Sequence, residues 1–204
     1  MEMTVDMFPV IGEPRAVELA NTLYVRPGST VDFLDRSDWI VTWLGLAVSD
    51  SALTLPKRID QAGGADLRSI RDAVRDLLST ATQRNGQPDP SGVATLSVAT
   101  LNRFTDAPRV RYRLEWAADS PPRSAIVPTG RGLAAVLTHL AIESVSFLGS
   151  GDVARVRRCD GPDCPMLFVQ QHHKRRFCHD GCAHRARQAR YYQHHRSSVA
   201  GIRS

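Results

Sequence analysis

Residues 159–182 open with Cys159-Asp-Gly-Pro-Asp-Cys164 and close with Cys178-His-Asp-Gly-Cys182, with a spacer of 13 residues between the two pairs. Tetrahedral zinc takes four thiolate or imidazole ligands, and two short pairs on a chain that folds back supply half of the tetrahedron each. Gly161 and Pro162 are the turn residues that aim the first pair, while Cys178 and Cys182 have the i, i+4 spacing of one helical turn. Four thiolates close the site, which leaves no coordination position for substrate or water and makes the ion structural. His172, His173, His179 and His184 lie close enough to compete as ligands, and a redox switch is the other alternative. The first pair lacks the Cys-x-x-Cys spacing of thiol oxidoreductases. A segment of this size with few large apolar groups cannot hold itself together, whereas structural zinc contributes about 10–16 kcal/mol of binding free energy that is also folding free energy.

Working outward, charge segregates with the cysteines. Residues 1–150 carry 15 Lys+Arg and 17 Asp+Glu, whereas residues 151–204 carry 11 and 4, so the whole positive excess lies in the last quarter. No cysteine precedes Cys159, so these thiols do not staple loops across a secreted scaffold. After Cys182 the chain runs to Arg196 without Gly or Pro, as a helix would. At 100° per residue, Cys182, Ala186, Ala189 and Gln193 share a small-residue face for the zinc core. His184, Arg187, Tyr191 and His194 fall opposite, with Arg190 at the edge. Lys174, Arg175 and Arg176 form a second cationic patch, and Arg185 and Arg196 complete the candidate nucleic-acid contacts. Arginine, lysine and an interleaved tyrosine suit phosphate contact and base stacking; the alternative is a solvated helix that merely carries charge.

The first 150 residues show a helical pattern. Short helices are expected over Ala16–Leu23, ended by Arg26-Pro-Gly-Ser29, and from Asp35, where Asp35 or Ser37 would cap and Trp39 and Trp43 would share one buried stripe. Leu67, Ile70, Val74, Leu77, Leu78 and Ala81 hold a helical register over Gly64–Gln83. Asn85–Pro90 reads as a loop and Val93–Arg103 as a weaker helix. From Arg109 to Trp116 charged and apolar residues alternate, which predicts a strand with one wet face, returning over Ala125–Val127. A long apolar helix over Arg131–Leu148 follows, and Gly149-Ser-Gly151 marks the boundary between a domain at 1–150 and one at 151–204. The expected fold class is α+β, mainly α: a helical N-terminal domain with a small β-hairpin, plus a treble-clef-like or ribbon-helix zinc finger.

On these residues the chain resembles the CGNR zinc-finger family of bacterial proteins, whose other part is the ABATE domain, described as a stress-induced transcription regulator. The resemblance rests on Leu19-Ala-Asn-Thr-Leu23, Trp43-Leu-Gly-Leu-Ala47, Arg157-Arg-Cys159, Leu167-Phe168, Arg175-Arg-Phe-Cys178 and the Arg-rich end. Where the family name comes from Cys-Gly-Asn-Arg, this chain has Cys182-Ala-His-Arg185. The resemblance implies one zinc, held by Cys159, Cys164, Cys178 and Cys182, and a DNA-binding regulator.

No nucleophile elbow, phosphate loop or metalloprotease helix is present, so no enzyme is expected. No apolar run approaches the about 20 residues of a membrane span, which predicts a cytoplasmic protein. The expected function is DNA binding by the zinc module, with the N-terminal domain sensing a small molecule or forming a homodimer. Asn21, Trp39 and Trp43 are the candidate ligand contacts, against the plainer reading of Asn21 as a buried amide satisfied by backbone. A module that docks on RNA or an acidic protein is the alternative function.

Overall fold

The computed structural model describes residues 8–49, 52–83, 92–106 and 108–200, the last eight as backbone alone. In chain order the elements are α1 (Arg15–Asn21), β1 (Leu23–Arg26), β2 (Ser29–Asp32), α2 (Ser37–Ala47), α3 (Gln61–Gln83), α4 (Val93–Thr105), β3 (Val110–Glu115), β4 (Arg123–Pro128), α5 (Leu133–Leu148), a 3-10 turn (Gly151–Arg155), β5 (Val156–Arg158), β6 (Leu167–Val169) and α6 (Asp180–Ala200). The six strands form three antiparallel two-stranded hairpins. The class is α+β, mainly α, as the sequence predicts. The expected loop at 85–90 lies outside the described residues.

The principal core forms where α1, α3 and α5 meet. Val17 and Leu19 of α1, Leu67, Ile70, Val74 and Leu78 of α3, and Val136 and Leu140 of α5 are buried together. Each side chain buried at this level stabilises the fold by roughly 1.5–3 kcal/mol relative to exposure. Val156 and Val169, which lie beyond the Gly149-Ser-Gly151 turn, belong to this same core. The finger is therefore seated on the helices by apolar burial.

Three local expectations change. Arg26-Pro-Gly-Ser29 does not merely end a helix: α1 stops at Asn21, and these residues turn the β1–β2 hairpin, with Gly28 at φ +75° in the left-handed position that follows Pro27. Neither Asp35 nor Ser37 caps α2. Arg36 stands at the N-cap without a side-chain cap bond, its guanidinium donating instead to Asp38, and the Ser37 hydroxyl accepts from the Ile59 N–H at 2.9 Å. The two tryptophans part company: Trp43 is fully buried, whereas Trp39 is half-buried, against Phe33 and beneath the Arg36 guanidinium.

The β3–β4 hairpin forms in the predicted place, but its apolar side is not covered. Val110 is buried and the Tyr112 hydroxyl reaches α5, donating to Glu143 at 2.9 Å, while Leu114 and Trp116 stand 71% and 73% exposed. A strand of this kind is anchored at one end, so alternation fixes its pleat without guaranteeing a partner for each apolar side chain. Among the described residues no helix is long and apolar enough to cross a membrane.

Candidate metal centre and nucleic-acid interface

The β5–β6 hairpin places the first cysteine pair and the start of α6 places the second. Cys159 and Cys164 lie in the knuckle that joins β5 to β6; Cys178 precedes α6 and Cys182 sits in its first turn. Within the knuckle the left-handed residue is Asp163, at φ +54°, and Gly161 supplies clearance. A Cβ on Gly161 would lie 3.0 Å from Cys182 Cβ and 3.4 Å from Cys159 Sγ. Thus Gly161 is needed for close approach rather than for backbone freedom.

The four sulfurs lie within 4.8 Å of one another, with Cys178 Sγ 3.8 Å from Cys164 and 3.5 Å from Cys182, and Cys182 Sγ 3.6 Å from Cys164. Zinc–sulfur bonds of about 2.3 Å put tetrahedral sulfurs about 3.8 Å apart, so the separation fits the ion. Backbone N–H groups of Gly161 and Cys178 point at Cys159 Sγ from 3.4 and 3.3 Å, the orientation that steadies a thiolate. Crowding divides the sulfurs when they must share protons. The hydrogen bond from Cys178 holds Cys164 down to about 5, the same contact pushes Cys178 up, and burial pushes Cys182 up to about 11. A divalent cation removes that conflict by taking all four as thiolates.

The nearby histidine that touches this centre acts as a cap. His179 Nδ1 accepts from the Cys182 N–H at 3.1 Å, the position of a helix N-cap, and the adjacent Gly181 leaves room for the ring. His172 and His173 stack on each other at 4.5 Å, exposed.

The basic residues take two different roles. Arg175 is a strut: its guanidinium donates to the carbonyls of Phe177, Val169 and Cys178, meets the Glu13 carboxylate at 2.7 Å and lies 4.7 Å over the Phe168 ring. These contacts make Arg175, expected as a nucleic-acid contact, a clamp between the finger and the N-terminal unit. Arg176 is exposed and paired with Asp160 at 2.7 Å, and Arg185 points back to Cys182 Sγ at 3.0 Å. Lys174, Arg187 and Arg190 are exposed with no carboxylate partner among the described residues. Tyr191 and Tyr192 are 58% and 63% exposed, while Cys182 and Ala186 of the same helix are buried. The Arg196 side chain lies outside the described residues.

The three candidate ligand residues sit in different settings. The Asn21 amide is spent on both backbone groups of Leu167, Trp43 is sealed in the core, and Trp39 packs on Phe33. Sequence reasoning missed Glu13, whose second oxygen accepts from the Val169 N–H at 2.8 Å, and Tyr24, which packs against the cysteine cluster with Arg26 5.1 Å over its ring.

The fold and the site together define a zinc-finger protein, a helical unit onto which a closed four-cysteine finger is docked. The chain belongs to the family described as "Putative stress-induced transcription regulator", ABATE, which matches residues 13–151, and residues 155–195 match the CGNR zinc finger. No curated protein matches the chain. The finger holds one structural Zn2+ on Cys159, Cys164, Cys178 and Cys182.

Proposed function

We propose that this protein is a cytoplasmic, DNA-binding transcription regulator whose zinc finger presents α6 to the phosphate backbone. The observation that carries this reading is the polarity of α6: Cys182 and Ala186 are buried, while Arg187, Arg190 and Tyr191 face solvent in the segment that holds all of the chain's positive excess. Zinc here is an anchor that fixes where the cations stand, and cations fixed in place release counterions on binding DNA at low ordering cost. Sensing or dimerisation falls to the N-terminal unit, where exposed Leu114 and Trp116 offer apolar surface to a second copy.

Fluorescence anisotropy with genomic DNA fragments over a salt series tests this. Each phosphate contact contributes about −0.9 to the slope of log affinity against log salt, so reversing Arg187 and Arg190 to Glu should flatten the slope by about two units. A flat salt response, or full affinity in the double reversal, overturns the proposal. The exposed Tyr191 and Tyr192 rings, in edge contact at 5.8 Å, favour a second reading in which unpaired bases stack on them. Tighter binding to single-stranded RNA than to duplex DNA at equal salt would select that reading.

A further inference from the structure

Helix α6 carries cations on both of its sides, and one side is completed by the N-terminal unit. At 3.6 residues per turn the exposed Arg185 and Arg190 stand about 140° apart around the helix axis, with the buried Cys182 and Ala186 between them on the inner side. Arg187 lies next to Arg190, and His184, Gln188 and Tyr191 form the exposed outer ridge between Arg187 and Arg185.

The Arg185 side continues beyond the finger. Arg185 donates to Cys182 Sγ at 3.0 Å, Tyr24 of β1 packs against the cysteine cluster, and the Arg26 guanidinium lies 5.1 Å over the Tyr24 ring. The Tyr24 hydroxyl is within electrostatic reach of both Arg26 and Arg185, so the two guanidiniums belong to one neighbourhood. Arg26 stands near the tip of the β1–β2 hairpin, where residues 25–30 are all exposed and none is acidic. Among the described residues it has no carboxylate partner.

We infer that α6 lies in the major groove of duplex DNA, with Arg187 and Arg190 on the phosphates of one strand and Arg185 and Arg26 on those of the other. This rests on the DNA-binding reading above, and adds the groove, the second strand and a contact from outside the finger. A helix with its side chains is about 10–12 Å across and the major groove about 12 Å wide, so the groove walls meet the two sides of the helix. Cations on one side alone would serve one strand; cations on both sides fit two. The ridge of His184, Gln188 and Tyr191 then faces the base edges. The minor groove, about 6 Å wide, does not admit a helix.

The test is fluorescence anisotropy over a salt series, with the zinc-loaded full chain and the genomic fragment that it binds most tightly. Arg26→Glu should flatten the slope of log affinity against log salt by about one unit, as Arg190→Glu does on the other side. Arg26→Gln, which removes the charge without adding a carboxylate, should act in the same direction at unchanged zinc content. Arg103→Glu makes the same change of net charge on α4, which packs on α3 and α5, and should leave the slope alone. Filling the major groove with glucosylated 5-hydroxymethylcytosine should weaken binding at least about tenfold, whereas saturating the minor groove with netropsin should not. Parent-like slopes in both Arg26 variants, full affinity for the glucosylated duplex, displacement by netropsin, or tighter binding to the single strand overturns the groove assignment. A parent with no salt-dependent affinity for any duplex overturns DNA binding itself, and the groove assignment with it.

Discussion

The side-chain amide of Asn21 brackets the peptide groups of Leu167, with Oδ1 accepting from its N–H at 2.8 Å and Nδ2 donating to its carbonyl at 3.0 Å. One residue at the end of α1 thereby serves β6 as a neighbouring strand would, across 146 positions of sequence. Replacing Asn21 by Ala strands both backbone groups in a partly buried place, at a cost of about 2 kcal/mol. Thermal unfolding should fall by about 4–8 °C, with zinc content unchanged because no ligand touches Asn21. A variant that melts like the parent would show that apolar seating through Val156 and Val169 alone holds the finger.

Arg175 and Arg187 should separate structure from recognition. Arg175→Ala removes the partner of Glu13, a side chain only 2% exposed, and leaves a buried charge uncompensated, which costs about 3–5 kcal/mol. Denaturant unfolding should show that loss, and Lys at 175 should recover only part of it because it cannot span Phe177, Val169 and Cys178 carbonyls together. Arg187→Glu should instead leave stability within about 0.5 kcal/mol and weaken DNA binding. Equal stability losses in the two variants would contradict the division of roles.

The sequence made some of this legible for physical reasons. The zinc ligands were readable because their spacing is local: a knuckle and one helical turn each fix a pair without help from the rest of the chain. Helices α3 and α5 were readable because burial against a broad core imposes the 3.6-residue period on Leu67, Ile70, Val74 and Leu78, and on Val136 and Leu140. The structural role of Arg175 was not legible because it depends on Glu13 and Phe168, whereas composition alone makes an Arg-Arg pair beside a cysteine look like a phosphate contact. The β1–β2 hairpin was missed because its strands are four residues each, too short for a period of two to stand out. Leu114 and Trp116 show the converse, since alternation fixes which side chains share a face but not whether anything covers it.

His179 offers a direct check on the ligand set. Its ring nitrogen caps α6 through the Cys182 N–H, so His179→Ala should cost about 1 kcal/mol while one zinc per chain is retained. Metal analysis of the purified variant decides between cap and ligand. Cys182→Ser, by contrast, opens the tetrahedron and should release the metal and unfold the finger, seen as loss of protection of α6 from hydrogen exchange. Retention of zinc in Cys182→Ser together with its loss in His179→Ala would replace the four-cysteine site by a mixed one.

Glu18 predicts a pH dependence whose sign is fixed by its environment. Burial raises its carboxyl from 4.5 to about 7, against the pull of the Glu13 and Ile11 N–H groups, so the fold favours the neutral form. The stability that Glu18 contributes is therefore fully present below its unfolded value near 4.5 and is lost as pH rises through about 7. Glutamine stays neutral throughout and has the same shape. Glu18→Gln should match the parent at about pH 4 and exceed it by roughly 3 kcal/mol at about pH 8, where the parent holds a buried carboxylate. Urea midpoints of the two proteins measured at both pH values test this, and because every other titrating group is common to both, a difference that does not change with pH removes Glu18 as the source.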